Sequence, residues 1–219
     1  ILVAACSFHL GRFSARAYSL LSKLSDTPNL SQTEIALRYL ILRQMDELAA
    51  MSFDWCATGK ASDQAIKELL ASQLEDEDIQ EADDIHIKAI DMALTENFTG
   101  AMVTFLLALE VGQDEIYDNA IDQFQRGLEI TSDLGMVPQW WSNRLAIELL
   151  HELWSSSFHK TLPVSEIGSW NNLRSLFIAT LYKRSIAELE LWPSQLEAAS
   201  RTMDEADNLI ASLPTSAGK

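Results

Sequence analysis

The sequence predicts an all-α chain, a series of packed helices that gives way only near its end to a strand and a loop. Three observations carry that expectation. Apolar residues recur at three- and four-residue spacing over most of the length. Helix breakers are scarce, with 8 Gly and 5 Pro in 219 residues. Hydrophobic residues make up 47% of the chain, enough for a shared core.

Residues 1–10 and 13–24 read as two short helices around Gly11, with Ala15, Ala17, Leu20, Leu21 and Leu24 facing inward. Pro28 then breaks the chain. Ser31-Gln-Thr-Glu34 is a capping box, in which the two polar side chains satisfy each other's exposed backbone donors. It opens a helix predicted to run to about Cys56, with Ile35, Leu37, Leu40, Ile41, Met45 and Leu48 on its apolar side. Ala57-Thr-Gly-Lys60 ends that helix, and Ser62 caps a shorter one to Leu74. Glu75 to Asp84 holds seven acids in ten residues. This reads as a solvated connection entering the first turn of the next helix, where acids suit the positive dipole end. Docking of a basic partner is the other reading. Helices are predicted at about 85–95, 97–111, 114–134, 138–158 and 169–187. Beyond Leu189 the composition changes. Trp192-Pro-Ser-Gln195 starts a short helix to about Met203, and Asp207-Asn208 make a turn. Asn208-Leu-Ile-Ala-Ser-Leu213 fits a buried strand. A boundary near residue 188 therefore divides a helical domain, 1–188, from a second unit, 189–219.

Charge narrows the partners. Against 16 Lys+Arg stand 32 Asp+Glu, a net −16, so these residues as a whole repel phosphate backbones. Cys6 and Cys56 lie in apolar helical stretches and read as reduced thiols of a cytoplasmic protein, a disulfide remaining open. The longest uncharged run, Asn97 to Leu109, is too short to span a bilayer, so no membrane partner is expected. The start at Ile1 and the stop at Lys219 read as the cut ends of a fragment.

Few constellations carry chemistry. His151-Glu-Leu-Trp-Ser155 fails the H-E-x-x-H zinc pattern at its fifth residue. His151 and His159, eight apart, read as satisfied or surface histidines. Cys6 and His9 stand at i, i+3 without further ligands, so no metal site is expected. Trp140, Trp141, Leu145, Leu149, Leu153 and Trp154 form the apolar face of a core helix, since no Lys/Arg is interleaved as base stacking requires. The sharpest feature is Pro214-Thr-Ser-Ala-Gly-Lys219. Small Ser216, Ala217 and Gly218 would let backbone N–H groups approach phosphates, with Lys219 reaching the terminal ones. The strict P-loop pattern fails twice: Leu213 takes the first Gly position, and the Mg²⁺-binding Ser/Thr would be the next residue.

Two resemblances follow from these residues. Leu107, Ala108, Val111, Ala120, Phe124 and Gly127 fall at tetratricopeptide-like spacing, as do Ala5, Phe8, Ala17 and Leu21 around Gly11, so the array resembles an irregular TPR-like stack. Leu191-Trp-Pro-Ser-Gln195, followed 24 residues later by the Lys of Pro214-Thr-Ser-Ala-Gly-Lys219, resembles superfamily 2 helicases of the DExH group. The resemblance implies a truncated RecA-like α/β domain whose first strand and P-loop end the chain. It puts Gln195 at the adenine of ATP, Trp192 and Pro193 around the base, and Thr215, Ser216, Ala217, Gly218 and Lys219 around the phosphates with Mg²⁺. The family's DExH box and arginine finger are absent, so catalysis and nucleic-acid contact would belong to motor domains outside this chain. HLGRFSARAYSLL and VPQWWSNRLAIELLHELWSSSFHKTLP resemble the helical region ahead of the motor in large bacterial helicases, some in antiphage defence. That region would brace the motor or dock a protein partner. The rival expectation is a free-standing helical-repeat adaptor with no nucleotide role.

Overall fold

A computed structural model describes residues 1–26, 30–57, 63–72, 79–162, 164, 168–191 and 193–202. Among these the chain is helical, as expected: α1 Leu2–Leu10, α2 Ser14–Ser22, α3 Gln32–Leu42, α4 Met45–Ala57, α5 Asp63–Ser72, α6 Ile79–Val111, α7 Asp114–Asp133, α8 Val137–Ser156, α9 Phe158–Thr161, α10 Trp170–Tyr182 and α11 Pro193–Thr202. A 3₁₀ turn, Lys23–Asp26, follows α2. The expected strand at 208–213 lies outside the described residues.

Local chemistry sets several ends as read. The Ser31 hydroxyl accepts from the Glu34 N–H at 3.3 Å, and the Glu34 carboxylate accepts from the Ser31 N–H at 2.9 Å, completing the capping box. Elsewhere tertiary contacts override the periodicity. The helix expected from 31 to 56 is two helices, because Arg43 adopts φ 59° between α3 and α4. A left-handed non-glycine costs about 1–2 kcal/mol. Three bonds hold it there: Arg43 Nη1 donates to Leu40 O at 2.9 Å, Nη2 pairs with Glu190, and Arg43 O accepts from Ala187 N at 2.9 Å.

Conversely, the helices expected at 85–95 and 97–111 are one, the 33-residue α6. The polar run Thr95-Glu-Asn-Phe-Thr99 looks like a break. Its hydroxyls instead turn back onto the helix: Thr99 Oγ1 donates to Thr95 O at 2.9 Å, and Thr104 Oγ1 to Gly100 O at 3.0 Å. The helix expected over 138–158 ends at Ser157, which is extended (φ −61°, ψ 155°). The helix expected to 187 stops at Tyr182, since residues 183–190 leave it to reach Arg43 and Ser157.

Helix α6 is the spine, packing against α3, α4, α5, α7 and α8. Phe98, Met102 and Phe105 are fully buried on it, and Phe98 meets Phe124 of α7 edge-to-face at 5.1 Å. A Cβ at Gly127 would lie 2.7 Å from Asn143 Oδ1 and 2.8 Å from Asn97 Nδ2, so glycine leaves room for these two amides where α7 meets α6 and α8. Of the repeat-spaced residues, Ala108, Ala120, Phe124 and Gly127 are buried while Leu107 and Val111 are exposed. Ile85–Val111 is long and apolar enough to cross a bilayer by length and composition, and 56% of its most apolar window is buried against its neighbours.

The end of α6 depends on Gly112, whose φ is 78°. Its N–H donates to Ala108 O at 2.7 Å, and His159 Nε2 donates to Leu109 O at 2.8 Å, so two terminal carbonyls are capped. A Cβ at Gly112 would overlap the His159 ring, whereas one at Gly135 (φ 67°) meets nothing within 4 Å. Urea denaturation should therefore show Gly112→Ala destabilising by about 3 kcal/mol, backbone strain plus overpacking. Gly135→Ala should cost only the strain, about 1 kcal/mol. Equal losses would remove His159 from the account.

Candidate functional site

Of the residues assigned to ATP by resemblance, Gln195 is described, partly buried on α11. Pro193 is the first residue of that helix, where a missing N–H costs nothing. Trp192, Thr215, Ser216, Ala217, Gly218 and Lys219 lie outside the described residues. The structure is informative about what comes just before them.

Residues 187–191 form a strap across the helical body. Ala187 N donates to Arg43 O at 2.9 Å, and Phe158 N donates to Leu189 O at 2.8 Å. Glu190 forms an isolated antiparallel bridge with Ser157. Ala187 and Leu189 enter the main core, while Leu191 packs against a smaller cluster of Phe158, Ile178 and Leu181. The apolar side chains thus enter two cores, while of the two carboxylates Glu188 is exposed and pairs with Arg184, and Glu190 turns to Arg43 and Ser156.

Glu190 is the centre of a half-buried ionic network. Its carboxylate pairs with the Arg43 guanidinium and accepts from Ser156 Oγ at 2.6 Å. The Arg43 and Glu190 side chains are only 13% and 18% exposed. Burial alone would push this carboxyl up. The Arg43 charge and the hydrogen bonds from Ser156 and Arg43, with His9 contributing further off, outweigh burial and hold it below the ordinary carboxylate range. Beside it, Glu152 of α8 receives Arg12 Nη1 at 2.6 Å and faces His9 Nε2 at 3.3 Å. A pocket of about 310 Å³ opens over the network, lined in part by His9, Ser14, Tyr18, Arg43 and Glu190.

This arrangement is a clamp of paired charges. Each carboxylate faces a cation, so no carboxyl pair is poised to share a proton. Burial pushes the Cys6 thiol up to about 12, which keeps it protonated and a poor ligand. His9 turns to Glu152, and no cluster of three metal-ligating residues occurs among the described residues.

A second cluster, not legible in the sequence, ties α7 to α8 and α9. Trp154 stacks on Tyr117 with centroids 4.9 Å apart, and its Nε1 donates to Asp114 Oδ1 at 3.1 Å. Lys160 pairs with Asp114 and lies 5.4 Å from the Trp154 ring centroid. Its hydrogen bond, helped by that of Trp154, holds the Asp114 carboxyl below its usual range. Tyr117 bonds His151 Nδ1, and burial lowers the affinity of His159 for a second proton. Both histidines are thus satisfied structural residues. Leu145, Leu149, Leu153 and Trp154 are buried, so α8 is a core helix as expected over these residues, but Trp141, expected on the same face, is 46% exposed.

No family model matches the chain, and no curated protein is significantly similar to it.

The network makes stability pH-dependent in a definite sense. Glu190 contributes above the carboxylate pKa of the unfolded chain, near 4.3, and loses its contribution as pH falls through its depressed folded value. Glu190→Gln should lower stability by about 2 kcal/mol near neutrality, by leaving Arg43 half-buried and unpaired. Denaturation curves of the variant and the parent should draw together as pH falls below about 4.3 and converge only below the depressed folded value. A gap that persists at low pH would assign the loss to packing.

Proposed function

We propose that these residues are the N-terminal helical part of an ATP-dependent nucleic-acid helicase or translocase of the DExH type. In this reading the helices are a TPR-like accessory domain, and residues 189–219 begin the RecA-like motor with its nucleotide-binding elements. The observation that carries the proposal is the position of the strap. Immediately before Trp192-Pro-Ser-Gln195, the chain is fastened to the helical body by main-chain bonds at Ala187 and Leu189 and by the Glu190–Arg43 pair. A helix carrying an adenine-reading glutamine needs such a fixed base, because positioning is most of what a phosphoryl-transfer site does. Bracing the motor is then the domain's physical task. ATP with Mg²⁺, when bound, supplies the phosphoryl chemistry. This chain would contribute adenine recognition by Gln195 and a phosphate cradle from Thr215 to Lys219.

The acidity supports this division of labour. A net charge of −16 disfavours nucleic acid on these helices and leaves it to motor domains further along. The same acidity suits a cytoplasmic protein that meets other proteins through its helical part.

In the longer protein that this reading requires, the residue after Lys219 should be Thr or Ser, with an Asp-Glu-x-His/Asp box further on. There Lys219→Ala should abolish ATP turnover while leaving the circular dichroism unchanged. Gln195→Ala should raise KM for ATP about tenfold, the loss of one or two adenine hydrogen bonds, and erase preference over GTP. Turnover retained in Lys219→Ala would remove the P-loop assignment, whereas no nucleotide binding by the longer protein would replace this reading with the adaptor one, which the exposed apolar face of α10 favours.

A further inference from the structure

Besides the pocket over the strap, a cavity of about 280 Å³ opens where α1, α3, α6 and α8 converge. Its apolar lining includes Leu2, Leu37 and Leu145, each at most 8% exposed, and the more exposed Trp141. Two buried hydroxyls in the lining satisfy each other, Thr33 Oγ1 and Ser142 Oγ at 3.2 Å. Thr95 of α6 breaks the pattern. The hydroxyls of Thr99, Thr104 and Thr131 each bond a carbonyl one turn back in their own helix. Thr95 lines the cavity and is only 6% exposed, yet its hydroxyl bonds no group among the described residues. A buried hydroxyl left unpaired is costly, so one beside a cavity points to a ligand that supplies its partner.

The charged groups around the cavity select the chemistry of that ligand. Glu34 and Asp91 line it, and among the described residues no Lys, Arg or His does. Glu34 accepts from the Ser31 N–H and Asp91 from Gln139 Nε2, both uncharged donors. Unlike Glu152 and Glu190, these carboxylates pair with no cation among the described residues. The cations of the four elements are engaged elsewhere or stand outside the lining. Arg38 donates to Leu21 O and lies over the Tyr39 ring, Arg144 pairs with Glu148, and His9 turns to Glu152. Lys88 is exposed on α6. An anion would be repelled here, and a purely apolar molecule would leave Thr95 unpaired.

We propose that this cavity binds a small organic ammonium ion. Its apolar body lies against Leu37, Leu145 and Trp141, and its N–H groups donate to Asp91, Glu34 and the Thr95 hydroxyl. The Trp141 ring adds attraction for a cation at the more exposed side. The volume stands at the lower end of ligand pockets, which suits an arylalkylamine and excludes a molecule the size of a nucleotide cofactor. The net charge of −16 draws cations toward the molecule as a whole. The inference goes beyond the function proposed above and is independent of it, since no residue assigned to ATP lines the cavity.

The test is a calorimetric titration of the 219-residue chain with 2-phenylethylammonium, beside its neutral and anionic counterparts 2-phenylethanol and phenylacetate. The ammonium should bind saturably with a Kd of about 1 mM or tighter, and the alcohol and acid at least about tenfold more weakly. Asp91→Asn should weaken the ammonium about fivefold and leave the alcohol unchanged, and Glu34→Gln, which keeps the capping box, should act likewise. Thr95→Val should weaken binding several-fold while the Tm of the free chain stays the same or rises, because an unpaired hydroxyl is removed. That variant keeps the test valid if a charge variant misfolds. Any of five results would overturn the proposal. These are no saturable binding by about 10 mM, equal binding of the alcohol or acid, affinity unchanged in both Asp91→Asn and Thr95→Val, a lowered Tm in Thr95→Val, or tighter binding of a Lys-containing peptide than of the free amine. ATP binding is read separately, in the longer protein, so failure of Lys219 or Gln195 as nucleotide contacts leaves this titration intact.

Discussion

The half-buried pairing of Arg43 with Glu190 is the interaction on which the arrangement of the rest depends. Arg43 interrupts what would otherwise be one helix, and its left-handed backbone is tolerable because its guanidinium and carbonyl are all engaged. The turn that results lets α3 and α4 pack separately against α6. It also presents the Arg43 carbonyl to Ala187, so the same residue that ends α3 receives the returning chain after α10. Removing either partner would leave a charge in a site with little water, which is why such pairs hold a geometry more firmly than they stabilise a fold.

From that junction the molecule divides into parts with different tasks. The spine α6, with α7 and α8, is a dense core in which Gly127 leaves room for two amides and hydroxyls bond back to their own helices. The ends of these helices are finished by aromatic and histidine side chains rather than by loops: His159 caps α6, and Trp154 spans Tyr117 and Asp114. The buried side of the α10 segment packs on a separate small cluster of Phe158, Ile178 and Leu181. Its stability is borrowed from Phe158 and from the strap that follows it, and its other side is left for something else.

The distribution of charge follows the same division. Residues 1–25 and 167–187 contain no acid, and the excess of negative charge lies on the segments between and after them. Near the strap, the first acid-free segment contributes His9 and Arg12 to Glu152 of α8. Cations of the acid-free segments are thus largely consumed in fixing structure: Arg174 of α10 likewise turns inward to His159 O, and Arg184 pairs with Glu188.

Much of the architecture was legible in the sequence, because helix formation is decided within a few residues. The all-α class, the capping box at Ser31, the core face of α8 and the burial of Ala17, Leu21, Phe124 and Gly127 all follow from periodicity and local hydrogen bonding. The candidate nucleotide residues were legible only as a pattern, and of them the described structure contains Gln195 and Pro193 on α11. Other features needed the third dimension. The break at Arg43 depends on Glu190, 147 residues away, and the continuity of α6 depends on whether Thr99 bonds its own helix or caps a new one. Both outcomes are set by partners that no window of sequence contains. What the sequence by itself determined is where helices form and which side of each is apolar. What only the tertiary structure decided is which helices are cut or joined, and that the chain before Gln195 is fastened down, because long-range pairs outweigh local preferences of about 1 kcal/mol.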